Sequence, residues 1–155
     1  MAKLFLRNAE IFDGRSFLKG YSVEVVNGII TWIGSSTETN HTKSGSHEMI
    51  DCRGGLLAPG FIDSHTHPIF SGNRAREFGM RISGKSYQEI AAAGGGIISS
   101  IEGVRNVSED QLFEECLERI NFFLVHGTTT IEAKSGYGLT VKDELKSLRV
   151  IKRLN

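Results

Sequence analysis

The stretch Ala58-Pro59-Gly60-Phe61-Ile62-Asp63-Ser64-His65-Thr66-His67 constrains this chain more than any other. Pro59 and Gly60 mark a turn, and Phe61 to His67 then reads as a short strand, apolar at its start and polar at its end. Side chains of a strand alternate faces with a period of two, so Asp63, His65 and His67 are expected on one face. Two imidazoles at one strand end can reach a single metal ion, and imidazole nitrogen suits zinc, iron and nickel. An isolated His-x-His is a weak signal, because such pairs also occur on ordinary surfaces. Two ligands do not complete a catalytic site, so a fold built around this pair has to bring more.

The length, 155 residues, fits one ordinary domain. Eighteen basic residues balance eighteen acidic ones, so no chain-wide field favours nucleic acid or an acidic membrane. No run of about 18 apolar residues is present, which argues against a transmembrane helix. The apolar run at the N-terminus is too short for a secretory signal. Cys52 and Cys116 match no Cys-x-x-Cys pattern. Two lone thiols without an export signal point to the reducing cytoplasm, and each reads first as a small buried apolar residue.

Residues 3–12 alternate loosely and read as a strand. Val23 to Val26 and Ile29 to Ile33 flank Asn27-Gly28, the pair that suits a type I′ hairpin turn, where both central positions need φ > 0. Residues 35–48 are polar and read as a surface loop carrying His41 and His47. Met49 to Cys52 and Leu56-Leu57 suggest further short strands. Residues 1–57 are therefore expected to form a small, partial β-sandwich-like segment. Residues 68–85 show no clean period and read as a long loop with at most one helical turn. Ser86-x-x-Glu89 is a capping box opening a helix to about Ala93, which the glycines 94–96 end. No Gly-Lys-Ser/Thr follows those glycines, so they do not read as a phosphate loop. Residues 97–107 are ambiguous.

Ser108-x-x-Gln111 is a second capping box, and Leu112, Cys116, Leu117, Ile120, Phe123 and Leu124 then share one helical stripe. Gly127 suits the position after that helix, and His126 at its end reads as structural. Thr128 to Lys134 reads as a strand, with Thr129, Ile131 and Ala133 on one side and Thr130, Glu132 and Lys134 on the other. Thr140 caps a last helix carrying Val141, Leu145, Leu148, Ile151 and Leu154. Strand, helix, strand, helix in this order predicts right-handed parallel βαβ units. The fold class expected is α/β, with residues 58–155 as the first βα units of a TIM-type (β/α)8 barrel. A full barrel takes about 200 to 250 residues. The barrel is therefore expected to be incomplete in this chain, and the chain to be an N-terminal fragment.

The pattern from Asp51 through Gly54-Gly55, Pro59-Gly60-Phe61-Ile62-Asp63 and His65-x-His67 resembles the opening of the amidohydrolase superfamily. There the pair sits at the end of barrel strand one and binds the catalytic metal. Further blocks are similar to the imidazolonepropionases of that superfamily: Asp63 to Arg74, Ser86-Tyr87-Gln88-Glu89-Ile90, Gly94-Gly95-Gly96-Ile97, and above all Glu132-Ala133-Lys134-Ser135-Gly136-Tyr137-Gly138-Leu139. The His-x-His is superfamily-wide, whereas the Lys-Ser-Gly-Tyr-Gly block is far more specific. The blocks keep the family's order from about residue 50 onward; the first segment shows only general likeness.

The resemblance implies metal-dependent hydrolysis of the cyclic amide of 4-imidazolone-5-propanoate to N-formimidoyl-L-glutamate, in histidine degradation. It implies one divalent metal, zinc or iron, held in part by His65 and His67, with Arg74 and Tyr137 binding substrate. It also implies a small-molecule substrate, a cytoplasmic setting and a homodimer at full length. The family's remaining ligands, a later His and an Asp, fall beyond Asn155, as do a further substrate-binding His and a Glu near the water. By residue type alone, Arg74 reads first as a solvated surface arginine like Arg76 and Arg81, and Tyr137 as readily as a packed aromatic. Asp63 is expected to orient a ligand imidazole, and Lys134 to pair with Glu132 rather than to bridge metals. Two alternatives stay open. One is another cyclic amidohydrolase or deaminase sharing the His pair; the other is a non-catalytic, truncated metal-binding protein.

Overall fold

A computed structural model describes residues 2–38 and 48–155. His41 and His47 lie outside the described residues. The chain divides into two compact units, Met1–Pro59 and Gly60–Asn155.

The first unit is a single five-stranded sheet built from β1 (Lys3–Phe12), β2 (Phe17–Val26), β3 (Ile29–Ser35), β4 (Glu48–Asp51) and β5 (Leu56–Leu57). The order is β3-β2-β1-β4, with β5 also pairing β1. β2 and β3 run antiparallel and meet at the Asn27-Gly28 turn, where φ is 52° and 79° as a type I′ turn requires. β4 and β5 pair with β1 in parallel. Ala9, Ile11 and Val23 form its buried cluster, with Cys52 and Leu57 packed against it. Within this unit the described residues form this one sheet and no second, where a partial sandwich-like segment was expected. β2 begins earlier than the apolar pattern suggests, because Lys19-Gly20 interrupts that pattern while the pairing with β1 continues past a bulge at Gly20.

The second unit holds β6 (Phe61–Thr66) and β7 (Thr128–Ala133), paired in parallel as the βαβ pattern predicts. Five helices accompany them: α1 (Ala75–Ile82), α2 (Tyr87–Ala92), α3 (Ile97–Asn106), α4 (Glu109–Val125) and α5 (Val141–Leu154). Among the described residues no helix is long and apolar enough to cross a membrane. Ile69, Val104, Leu112, Cys116 and Val150 are fully buried together, so the core gathers the segment after β6 with α3, α4 and α5. On β7, Ile131 and Ala133 share a cavity with Ile120, Ile151 and Leu154, which puts that strand's apolar side toward α4 and α5.

Two helices depart from the expectation of a long loop and an ambiguous stretch. α1 lacks a side-chain cap and contains Gly79; its local start signal is the Asn73 side chain, whose Oδ1 accepts from Ala75 N–H at 3.0 Å. α3 contains Gly103, which weakens the helical pattern in sequence. A Cβ at that position would lie 2.6 Å from the Ser71 carbonyl oxygen, so the glycine lets α3 approach the segment after β6. The Ser86/Glu89 box is reciprocal, with Glu89 N–H donating to Ser86 Oγ and Ser86 N–H to Glu89 Oε2. The Ser108 box is one-sided. Ser108 Oγ accepts from Gln111 N–H, but the Gln111 side chain donates to Glu115 instead.

Leu112 has no exposed surface and lies at the centre of this core. Leu112→Ala is expected to destabilise the protein by about 2–5 kcal/mol, the range for a large-to-small change in a close-packed core. Denaturant unfolding measures this, and a loss below about 1 kcal/mol would contradict the packing described.

Candidate active site

β6 ends at Thr66 and delivers His65 and His67 to one place: their ring centroids are 5.3 Å apart and the planes are inclined by 62°. The pairing with β7 slips just here. β6 advances from Asp63 to Thr66 while β7 advances from Ile131 to Ala133, which is a bulge in β6. Asp63 supports it, because Asp63 Oδ1 accepts from the His65 backbone N–H at 3.1 Å. This corrects the expectation for Asp63, whose carboxylate holds main chain and not an imidazole. An aspartate readily captures the N–H two residues on, and that local bond wins over a longer reach.

His65 is exposed, whereas His67 is half-buried. The Nδ1 atom of His67 is buried and has no hydrogen-bond partner among the described residues. The loop after β7, Ser135 to Leu139, runs against this ring. Gly136 has φ +138°, and a Cβ there would lie 3.2 and 3.3 Å from His67 Cε1 and Nδ1. Two imidazoles on one tetrahedral ion, with metal–nitrogen bonds of about 2.1 Å, have centroids about 5 Å apart. The observed pair fits that spacing, and its donors are the right chemistry for a divalent ion. Among the described residues no group of three or more His, Cys, Asp or Glu side chains is placed to hold a metal.

An aromatic chain leads away from the pair. The Tyr137 ring is 5.8 Å from His67 and 6.5 Å from Phe70, the latter edge-on. The Arg119 guanidinium lies 3.6 Å above the Phe70 ring and donates to the Pro68 carbonyl. Arg74 and Tyr137, remote in sequence, line one cleft of about 420 Å³ together with Phe70, Asn73, Ser99 and Ser100. Arg74 is at the N-cap of α1, 47% exposed, with Nε 3.2 Å from Glu77 Oε2. That ion pair engages Nε and leaves both terminal nitrogens as donors, the half of the guanidinium that forks onto a carboxylate. The structure thus brings His65, His67 and Tyr137 into ring contact and puts Arg74 in the cleft that Tyr137 lines.

Lys134 Nζ is 2.7 Å from Glu132 Oε1, the ion pair expected from their spacing. The Lys134 hydrogen bond and charge, with a smaller contribution from His65, hold the Glu132 carboxyl below its ordinary range. His126 closes α4 through Nδ1, 2.8 Å from the Phe122 carbonyl oxygen, and so serves the helix end. Cys116 is fully buried, and burial pushes its thiol pKa up; Cys52 is half-buried.

Three glutamates that the sequence did not single out tie the cleft's loops to its helices. Glu77 of α1 accepts from Gly96 N–H at 2.9 Å, Glu115 of α4 from Gly72 N–H at 3.2 Å, and Glu144 of α5 from Leu139 N–H at 2.8 Å. Their spacing resembles that of any solvated helix glutamate, and only the neighbouring glycine-rich loops hinted at a need for acceptors.

No protein-family model matches the chain. It is 47% identical over 143 residues to the imidazolonepropionase of Aliivibrio salmonicida (strain LFI1238), covering 92% of this chain and 34% of that protein. It is 46% identical over 154 residues to the imidazolonepropionase of Ectopseudomonas mendocina (strain ymp), covering 99% of this chain and 38% of that protein. The chain thus spans about a third of the length of the curated relatives it matches. Among solved structures it is similar to E. coli guanine deaminase, with a TM-score of 0.68 at 18% identity, covering 99% of this chain and 33% of that one. It is also similar to an amidohydrolase, with a TM-score of 0.58 at 18% identity, covering 93% of this chain and 29% of that one. At such identities these structures speak for the α/β fold alone.

Proposed function

We propose that this chain, which its sequence places in the imidazolonepropionase family, supplies two metal ligands and part of the substrate cleft of a hydrolase that opens the ring of 4-imidazolone-5-propanoate. The product is N-formimidoyl-L-glutamate, formed when water cleaves the ring amide C–N bond. The observation that carries the reading is the meeting of Arg74 and Tyr137 in one cleft, with Tyr137 in ring contact with His67. The aromatic rings of Phe70 and Tyr137 suit a flat ring, and a cation at the cleft suits a propionate tail. The two terminal nitrogens of Arg74 take that carboxylate in a bidentate manner while Nε keeps its pair with Glu77.

His65 and His67 would hold one divalent ion, zinc or iron, through their ring nitrogens. A divalent ion bound there would supply Lewis acidity, lowering the pKa of a bound water toward neutrality. The Tyr137 hydroxyl orients the substrate and its ring packs against His67, so the two sites are mechanically joined. β6 and β7 are read as the first two strands of an amidohydrolase barrel, and the helices between them as its outer layer. The remaining ligands and the proton-transfer group belong to the longer part of the relatives that this chain does not span. A cytoplasmic homodimer is the setting the family suggests.

The test is steady-state kinetics with imidazolone propionate, using a full-length protein that carries these residues. Arg74→Met is expected to lower kcat/KM roughly 10- to 150-fold, the worth of one charge-assisted hydrogen-bonded contact. Tyr137→Phe, which removes one hydroxyl, is expected to lose less. Unchanged kinetics for Arg74→Met would return this residue to the solvated surface. Turnover of a cyclic amidine by deamination, with none of imidazolone propionate, would replace the proposed reaction.

A further inference from the structure

The loop that carries Tyr137 is gripped at a single peptide unit, and we propose that Glu144 and Arg105 are the positioning pair that sets this loop for substrate binding. The proposal rests on the reading of Tyr137 given above. The peptide joining Gly138 to Leu139 is held at both ends. Its N–H, that of Leu139, donates to Glu144 Oε1 at 2.8 Å, and its carbonyl oxygen, that of Gly138, accepts from Arg105 Nε at 2.8 Å. An anion thus meets the donor end and a cation the acceptor end of one peptide dipole. Charged partners make the stronger hydrogen bonds, and both are used where the backbone is least at ease. Leu139 has φ +54°, in the left-handed region that a branched side chain seldom enters.

The surroundings leave this peptide little room. A Cβ on Gly138 would lie 2.7 Å from backbone atoms of Asp143 and Glu144, so the loop rests directly on the first turn of α5. On the other side Gly136 abuts the His67 ring. Glu144 reaches under the loop, and its second oxygen, Oε2, is buried without a hydrogen-bond partner among the described residues. Burial opposes ionisation there. The nearby Ser135 side chain and the N–H groups of Leu139, Gly138 and Gly136 outweigh it and hold the carboxyl below the ordinary glutamate range, with Leu139 N–H alone in hydrogen-bond geometry among the described residues. Arg105 comes from α3 and also stands 3.9 Å from Asp143 of α5, so its grip on the loop is braced by a second helix.

Tyr137 directly precedes the gripped peptide unit. If that peptide turns, the Tyr137 ring leaves the 5.8 Å contact with His67 and the cleft wall it shares with Arg74. Glu144 and Arg105 are not among the residues that line the cleft, and they act through Tyr137. Their effect should fall on binding more than on the chemical step.

The full-length protein carrying Glu144→Ala is the test, with Glu144→Gln as its conservative partner. Glu144→Ala is expected to raise KM for imidazolone propionate about tenfold or more, with a smaller change in kcat, the scale seen for residues that orient a site at one remove. Glu144→Gln keeps an acceptor for Leu139 N–H and is expected to recover most of the loss. Tyr137→Phe should add less than about twofold in the Glu144→Ala background, because the two losses are then the same loss. Amide hydrogen exchange of segment 135–140 should accelerate in Glu144→Ala and not in Glu144→Gln, with metal content unchanged. If Glu144→Ala does not fold, Arg105→Gln removes the other half of the grip and is read by the same measurements. An unchanged KM, a fully additive Tyr137→Phe effect, or unchanged exchange of the loop would each overturn the proposal. A wild-type protein inactive on imidazolone propionate would instead sink the proposed reaction, and the exchange data would still decide whether the loop is clamped.

Discussion

His67→Ala in the full-length protein is expected to strip the bound metal and to lower kcat/KM by at least about 100-fold, since residues that merely support a ligand already cost 10- to 100-fold. His65→Ala should lose metal as well. The two variants should differ in one respect. His67 is half-buried between the strand end and the Tyr137 loop, and its ring is a wall of the loop's seat. Removing it takes away a ligand and the surface against which Tyr137 packs, so KM should rise along with the loss of metal. His65 is exposed, and removing it should act on metal affinity with little effect on substrate binding when excess metal is supplied. Elemental analysis with kinetics at several metal concentrations separates these effects. Normal metal content in both variants would remove the metal site from this strand end.

The closeness of the two imidazoles was legible because a period of two is a property of every strand, and the polar end after Pro59-Gly60 gave its direction. The bulge at the strand end was not legible, since it depends on the register with β7, and so the role of Asp63 was misjudged. The long apolar stripe of α4 and the Thr140 cap of α5 announced their helices, whereas α1 and α3 were hidden by an absent cap and by internal glycines. Gly103 shows why such glycines mislead: it answers to the Ser71 carbonyl, a neighbour that only the fold supplies. Once α1 exists, Arg74 and Glu77 become an i,i+3 pair on its first turn, and the pair could have been foreseen. The grip of Glu144 and Arg105 on the Tyr137 loop could not, because the two side chains come from different helices and meet at a backbone peptide, which leaves no pattern in sequence.

Gly136→Ala is expected to cost much of the activity through a single methyl group. The backbone there has φ +138°, which an alanine reaches only under strain of about 1–3 kcal/mol. Its Cβ would also lie 3.2 Å from His67 Cε1 and 3.3 Å from Nδ1, tighter than ordinary contact. Relief has two routes. The His67 ring can swing away, which spoils the geometry of a metal ligand, or the loop can lift, which carries Tyr137 out of the cleft. A displacement near 1 Å at a positioned group can cost about 100-fold in rate, so kcat/KM is expected to fall by about that factor on either route. The routes leave different traces. A swung His67 lowers metal content and is partly rescued by excess metal, whereas a lifted loop leaves the metal in place, raises KM and accelerates amide exchange in segment 135–140. The loop route should dominate, because the loop is held chiefly at one peptide. A Gly136→Ala protein with wild-type kcat/KM would show that the loop does not press on His67 in solution, and the mechanical link between the metal pair and Tyr137 would fall with it.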